Sequence, residues 1–286
     1  MADSFETYWS AVDRDLERYP PVPDLEPLQI RSTDFATVFA VRLTSLGPYR
    51  IFGYYSVPVG DGPFAGLLQT PRYGSVNHVP AYELRQRYAV LTLMHRGQRL
   101  ADQPFAAAYP GLLTLGIDDP ARYIYRGIVA DCLRGAEFLL SRPEVDSQRV
   151  GIVGDDLALL TAARRPNFKA AHISGLLLYR LLEASERNAG YPVQEVQDEL
   201  RAHPEQRAAI ASTLTFFDPL YHAPRVTART LLNTDDHGRV GGPEWLQPLA
   251  EALGDRVELY TLTHEGRTDH DRVEAWLAEQ LLPRAA

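Results

Sequence analysis

The sequence is poor in cysteine and in lysine, and both shortages exclude classes of protein. The single cysteine, Cys132, cannot form a disulfide within the chain or build a cysteine-based zinc or iron–sulfur site. Lys169 is the only lysine among 29 basic residues, and no GxxxxGK[ST] motif is present, so a P-loop is excluded. A net charge of −8 without a basic run argues against binding to nucleic acid or to an anionic membrane.

Long apolar runs are also missing. No stretch approaches the roughly 20 apolar residues that a membrane-spanning helix needs. The first residues are acidic and lack the basic and apolar regions of a secretory signal, so a cytoplasmic location is predicted. With 45% hydrophobic residues among 286, the chain has ample material for a globular core.

The hydrophobic pattern changes along the chain from consecutive strands to strand–helix alternation. Predicted strands cover 35–43, 50–57, 64–69, 88–94, 150–153, 169–173, 229–233 and 256–262. Predicted helices cover 4–18, 82–87, 122–140, 244–253 and 271–282, with another from about 157. This order predicts an α/β fold whose mostly parallel sheet has helices on both faces. A single domain over 1–286 is expected, with a helical, proline-rich extension at 1–30 and a helical insertion at 176–217.

The segment 154–158 follows a predicted buried strand and opens a predicted helix. In α/β-hydrolases this is where G-x-S-x-G presents a nucleophile on a sharp turn, and here Asp156 takes the nucleophile's position. The simpler interpretation, which these residues alone favour, is that Asp155 or Asp156 caps the helix through its carboxylate.

A histidine and two acids follow later predicted strands. His264 lies in the loop before the last helix, which suits a general base, although such a histidine is more often a surface group. Asp235 and Asp236 follow the strand at 229–233, where an acid that orients the histidine would lie; a polar turn is equally consistent.

No metal or cofactor site is predicted. The acids and histidines between 264 and 271 do not form HExxH, and Asp269 is placed to cap the final helix. The glycines at 60–66 fit a hairpin turn better than a phosphate loop.

Several short motifs spread over nearly the whole chain occur together in one known family. They are Phe5-Glu6-Thr7-Tyr8-Trp9, Tyr73-Gly74, Arg96-Gly97-Gln98, Tyr123-Ile124-Tyr125-Arg126, the run 143–151, the run 213–218 and Thr263-His264-Glu265. Together they resemble the acetyl xylan esterase / cephalosporin C deacetylase family of α/β-hydrolases. The resemblance implies deacetylation of acetylated sugars and similar small esters, no cofactor, and a homo-oligomer, with a hexamer as the typical form.

The chain departs from that family at its catalytic residues. The family has G-x-S-Q-G-G at the turn, whereas this chain has Asp156 in place of the serine. The acid of the triad falls on Gly238, so that Asp236, or else Asp235, would have to replace it. The resemblance leaves His264 as the base, and it implies backbone N–H groups of Tyr73 and Leu157 as the oxyanion hole.

These departures leave three functional interpretations open. Attack by a carboxylate on an acetyl ester is unproductive, so ester hydrolysis is predicted to be impaired or lost. In the alternative, Asp156 attacks saturated carbon, as in dehalogenases and epoxide hydrolases, with His264 as base and Asp236 as its partner. A third possibility is a non-catalytic protein in which Asp156 and His264 form an ion pair and the pocket binds a small polar ligand.

Overall fold

The structure is a computed structural model that describes residues 2–187, 190–235 and 242–283. Its strands are β1 (Asp24–Pro27), β2 (Ala36–Thr44), β3 (Arg50–Pro58), β4 (Phe64–Gln69), β5 (Tyr88–Met94), β6 (Val145–Gly154), β7 (Ala170–Ile173), β8 (Arg229–Thr234) and β9 (Val257–Thr261). Its α-helices are α1 (Ala2–Glu17), α2 (Tyr82–Arg87), α3 (Ile124–Leu140), α4 (Asp156–Arg164), α5 (Leu181–Arg187), α6 (Gln194–Ala202), α7 (Arg207–Leu214), α8 (Pro219–His222), α9 (Pro243–Leu253) and α10 (Gly266–Leu281).

The strands form one mixed sheet in the order β1-β2-β3-β5-β4-β6-β7-β8-β9. The pairs β1–β2, β2–β3 and β3–β5 are antiparallel, and every other neighbouring pair is parallel. Strands joined by helices must run parallel because each helix returns the chain to the same edge of the sheet. The predicted α/β fold with a mostly parallel sheet is therefore confirmed.

Alternate residues of the central strands face two separate hydrophobic clusters. Leu231 of β8 belongs to the cluster formed with Trp276 and Leu281 of α10, whereas the next residue, Leu232, packs into the larger cluster with α3, α4 and α9. Both leucines are fully buried, and burying such a side chain stabilises the fold by roughly 1.5–3 kcal/mol. Helices cover both faces of the sheet, as predicted.

Helix α1 packs one apolar face against the body of the protein. Phe5, Trp9, Val12 and Leu16 recur at helical spacing, and all four side chains are buried. The indole N–H of Trp9 donates to the carbonyl oxygen of Phe216 at 3.1 Å. The N-terminal helix is thereby attached to the segment between β7 and β8.

The starts of β6 and α10 differ most from the predictions, and β1 was not predicted. Strand β6 begins at Val145, because Val145 and Asp146 pair with β4 before a register shift. Helix α10 begins at Gly266 rather than at 271. Asp269, predicted to cap it, lies in its first turn and accepts from Thr263 N–H at 2.9 Å, so it orders the preceding loop instead.

The segment predicted as a helical insertion contains α5, α6 and α7, and α8 follows before β8. No helix within the described ranges is both long enough and apolar enough to cross a membrane.

The carboxyl ends of the parallel strands bring the predicted site residues to one edge of the sheet. Tyr73 follows β4, Asp155 and Asp156 follow β6, Asp235 follows β8, and His264 follows β9. This edge is where open α/β sheets bind their ligands.

Candidate active site and cavity

The turn between β6 and α4 requires a glycine. At Gly154, where φ is +158°, a Cβ atom would lie only 2.0 Å from Oγ1 of Thr70. The turn therefore passes close against the end of β4, and no larger residue fits without displacing it.

Asp155 is the capping residue of α4. Its Oδ1 accepts a hydrogen bond from the backbone N–H of Leu157 at 3.1 Å. Leu157 N–H is one of the two donors expected in the oxyanion hole. In this chain that donor is bonded to the protein's own carboxylate.

Asp156 is the first residue inside α4 and is only 2% exposed. Its Oδ2 accepts from the backbone N–H of Leu177 at 2.6 Å, and its Oδ1 is buried without a hydrogen-bond partner. The acid in the nucleophile's position therefore points into the protein rather than into solvent.

The two adjacent acids have raised pKa values. Burial raises the pKa of Asp156 well above its ordinary value, and the neighbouring charge of Asp155 adds to this effect. Burial also raises the pKa of Asp155, to about 6, although the Leu157 N–H and the charge of Arg72 oppose it. Both shifts favour the protonated forms, and with a pKa of about 6 the Asp155 carboxyl is still mostly ionised at neutral pH.

His264 pairs with Asp235. The imidazole Nε2 lies 3.0 Å from Oδ1 of Asp235, and 47% of the histidine side chain is exposed. His264 has a φ of +61°, a left-handed backbone conformation that residues other than glycine rarely adopt. The predicted acid Asp236 and the triad position Gly238 lie outside the described residues.

The structure does not form the Asp156–His264 ion pair considered for an inactive site. Within the described ranges, the carboxyl of Asp156 bonds to Leu177, whereas His264 bonds to Asp235. The physical reason is that the first turn of α4 directs Asp156 toward the loop after β7, not toward the loop after β9.

Tyr73 lies on a loop that the Arg96-Gly97-Gln98 motif holds in place. The side-chain amide of Gln98 donates to the carbonyl oxygens of Arg72 (3.2 Å) and Ser75 (2.5 Å). Arg96 itself makes a buried ion pair with Asp131 of α3 at 2.7 Å. The motif thus fixes the backbone that carries the second expected oxyanion donor.

A cavity of about 560 Å³ lies beside these residues, within the size range of small-molecule sites. Its lining combines polar and aromatic groups. The lining residues are Arg72, Tyr73, Asp155, Ser174, Gly175, Leu176, Leu177, Tyr179, Tyr191, Pro192, Val193, Asn233, Asp235, Trp245 and Leu246. Asp155 faces the cavity, whereas Asp156 is not among the described lining residues.

Sequence reasoning missed Arg72, Asn233 and Glu195. Arg72 and Asn233 could have been found, because each lies at the carboxyl end of a predicted strand. Glu195, whose carboxylate bonds to the Tyr73 hydroxyl, gave no such signal, since it lies in the first turn of a charged helix. No group of three or more metal-ligating side chains occurs in the part of the chain that the structure describes.

Comparison with known proteins extends the structural picture. A profile of the acetyl xylan esterase (AXE1) family matches residues 1–245. The acetyl esterase Axe7A of Xylanibacter ruminicola is 23% identical over 240 residues. The match covers 78% of this chain but only 54% of that protein, so the chain spans about half the length of this relative.

Two solved structures have the same architecture. The acetyl xylan esterase from Paenibacillus sp. R4 is 26% identical, with a TM-score of 0.84 over 97% of this chain and 94% of that chain. Acetyl xylan esterase 1 from Thermoanaerobacterium sp. JW/SL YS485 is 20% identical, with a TM-score of 0.85 over 96% and 93%, and supports the fold alone. With the profile match over most of its length, this chain belongs to the acetyl xylan esterase family of α/β-hydrolases.

Proposed function

We propose that this protein binds a small molecule, such as an acetylated sugar, in the cavity of an acetyl xylan esterase fold and that its ester hydrolysis is lost. The observation that carries the proposal is the hydrogen bond from Leu177 N–H to Asp156 Oδ2. It commits the residue in the nucleophile's position to a structural contact, and that residue is a buried acid.

Ester cleavage needs a nucleophile, a base in contact with it, and donors that stabilise the oxyanion. Burial raises the pKa of Asp156 and so favours its protonated form, and a protonated carboxyl is a poor nucleophile. His264 has its partner in Asp235 and makes no hydrogen bond to Asp156 in the described ranges.

The oxyanion site supports the same conclusion. The carboxylate of Asp155 already occupies Leu157 N–H, so a substrate oxygen would have to displace a negative group from it. Negative charge at this position also opposes the negative charge that develops on an ester in the transition state. The cavity itself is retained, which supports ligand binding without turnover.

An enzymatic alternative has one observation in its favour. The His264–Asp235 pair keeps a base and its orienting acid at 3.0 Å. In this alternative an ionised Asp156 attacks saturated carbon, expels a halide or opens an epoxide, and His264 activates the water that cleaves the alkyl ester. The burial and raised pKa of Asp156 count against it. A covalent adduct on Asp156 after incubation with haloalkanes or epoxides, detected by mass spectrometry, would support it.

Hydrolysis of p-nitrophenyl acetate tests the proposal. The parent protein is expected to be inactive above the rate in buffer. The variant Asp155→Gly/Asp156→Ser/Gly238→Asp frees Leu157 N–H and restores the nucleophile and acid, so its turnover should rise by about 10³-fold or more.

The same triple variant carrying His264→Ala is the matched control and should lose the gain. Parent turnover that disappears in His264→Ala alone would overturn the proposal.

The homo-oligomer, the family-type hexamer and the cytoplasmic location stay predictions. Light scattering tests the oligomer and the hexamer.

A further inference from the structure

Asp155 presents an unpartnered oxygen to the cavity. Its side chain is only 7% exposed, and Oδ1 accepts from Leu157 N–H. Oδ2 receives no hydrogen bond from another described residue, and unlike Oδ1 of Asp156 it is not among the side-chain oxygens buried without a partner. A largely buried carboxylate oxygen without a donor favours a ligand that brings one.

The charged side chains that line the cavity in the described ranges favour a positive ligand. The described lining residues include two acids, Asp155 and Asp235, and one base, Arg72. Arg72 is near enough to lower the pKa of Asp155, but the two side chains do not form an ion pair within 4.0 Å. Among these described lining residues, two negative charges face one positive charge when both acids are ionised.

The aromatic lining fits a cation as well. The rings of Tyr73 and Tyr191 lie 6.1 Å apart and both line the cavity. Trp245, another lining residue, already has the guanidinium of Arg180 at 4.1 Å and that of Arg187 at 4.5 Å over its ring. Aromatic faces attract cations because their π-electrons are negative, so the tyrosine rings add to the attraction of the carboxylates.

We propose that the cavity binds small primary amines, with the ammonium group donating a hydrogen bond to Oδ2 of Asp155. The inference rests on the proposed function, since it names the ligand class of the same cavity. It also gives each of the two acids at the turn between β6 and α4 a role. Asp156 anchors the loop after β7, and Asp155 supplies the charge that selects the ligand.

Calorimetric titration of the full chain with three probes of matched size tests this assignment. The probes are benzylamine, benzyl alcohol and benzoate, measured at pH 7.5, where benzylamine is charged and Asp155 is mostly ionised. Benzylamine is expected to bind about tenfold or more tightly than benzyl alcohol, since a hydrogen bond to a charged group is worth about that much. Benzoate should bind weakest.

Two variants separate the contribution of Asp155 from that of its surroundings. Asp155→Asn keeps the helix cap, because asparagine caps as well as aspartate, and should reduce benzylamine binding to the level of benzyl alcohol. Arg72→Gln removes the competing cation and should tighten benzylamine binding by a few fold.

Preferred binding of benzoate that Arg72→Gln abolishes would overturn the amine assignment, as would equal binding of the three probes or no binding at all. Esterase turnover in the parent would instead overturn the proposed function and leave an amine preference standing, so the two failures are distinguishable.

Discussion

Asp155 has two roles in the structure. Its hydrogen bond from Leu157 N–H caps α4 and occupies that N–H group, and the residue also lines the cavity. Asp156, next to it, is turned inward to Leu177. Two adjacent positions at the start of α4 therefore differ in role, because Asp155 lines the cavity and Asp156 holds a loop.

Replacing Asp155 by asparagine should stabilise the protein at high pH. Burial raises the folded-state pKa of Asp155 to about 6, above the ordinary 3.8 of the unfolded chain. Its ionisation therefore costs stability above pH 6, and this cost disappears as the pH falls toward 4. Asp155→Asn should be more stable than the parent by about 2 kcal/mol at pH 8 and nearly equal to it at pH 4.

Urea unfolding at the two pH values measures this difference, with Asp198→Asn on the exposed face of α6 as the control. A gain of the same size at both pH values would contradict the argument.

Helix α6 is joined to two distant loops through Glu195. The carboxylate is 6% exposed and accepts from the Tyr73 hydroxyl, from Gly111 N–H at 2.8 Å and from Leu113 N–H at 3.3 Å. Tyr73 and Val193, on either side of this contact, both line the cavity. One buried acid thus holds the cavity wall that α6 and its preceding turn provide.

Glu195→Gln should loosen that wall without unfolding the protein. The amide keeps the volume but offers one acceptor and one donor where three donors converge, at a cost of about 1–3 kcal/mol. Hydrogen exchange of the Gly111 and Leu113 amides should accelerate by about tenfold or more. Glu199→Gln, on the same helix, is the matched control and should leave both amides unchanged. Unaltered exchange in Glu195→Gln would show that the contact does not hold the wall.

Buried histidines make the whole molecule sensitive to acid. Burial lowers the pKa of His95 and of His172 to about 4, and that of His222 to about 3. Their ordinary value, 6.5, holds in the unfolded chain, so their contribution to stability is complete above pH 6.5. It is lost progressively as the pH falls toward the folded-state values, because protons then bind preferentially to the unfolded chain.

His222→Gln should reduce that acid sensitivity. Between pH 7 and pH 5 the parent should lose about 2 kcal/mol more than the variant, since the unfolded histidine becomes protonated and the folded one does not. Urea midpoints at both pH values measure the difference, and the exposed His270→Gln serves as control. Parallel losses in parent and variant would refute the role of His222.

Much of the fold follows from local pattern. The alternation of short apolar strands with amphipathic helices predicted the parallel sheet, because a strand buried on both faces is largely apolar, as in Tyr88–Met94. The spacing of Trp9 and its neighbours predicted a helix with one buried face. The motifs around Arg96 and Tyr123 indicated the family. The sequence alone also showed that Asp156 stands where the family has its serine.

The sequence predicted the candidate site only in part. The sequence by itself determined that carboxyl groups, a histidine and a glycine turn would lie at the ends of parallel strands, because chain order and strand direction fix which ends share an edge. Only the tertiary structure decided which acid faces the cavity, since Leu177 N–H reaches Asp156 from 21 residues away. It likewise paired Asp235 with His264 and brought Glu195 to Tyr73. Such contacts join segments that no local periodicity relates, so their geometry exists only once the sheet and its covering helices have packed.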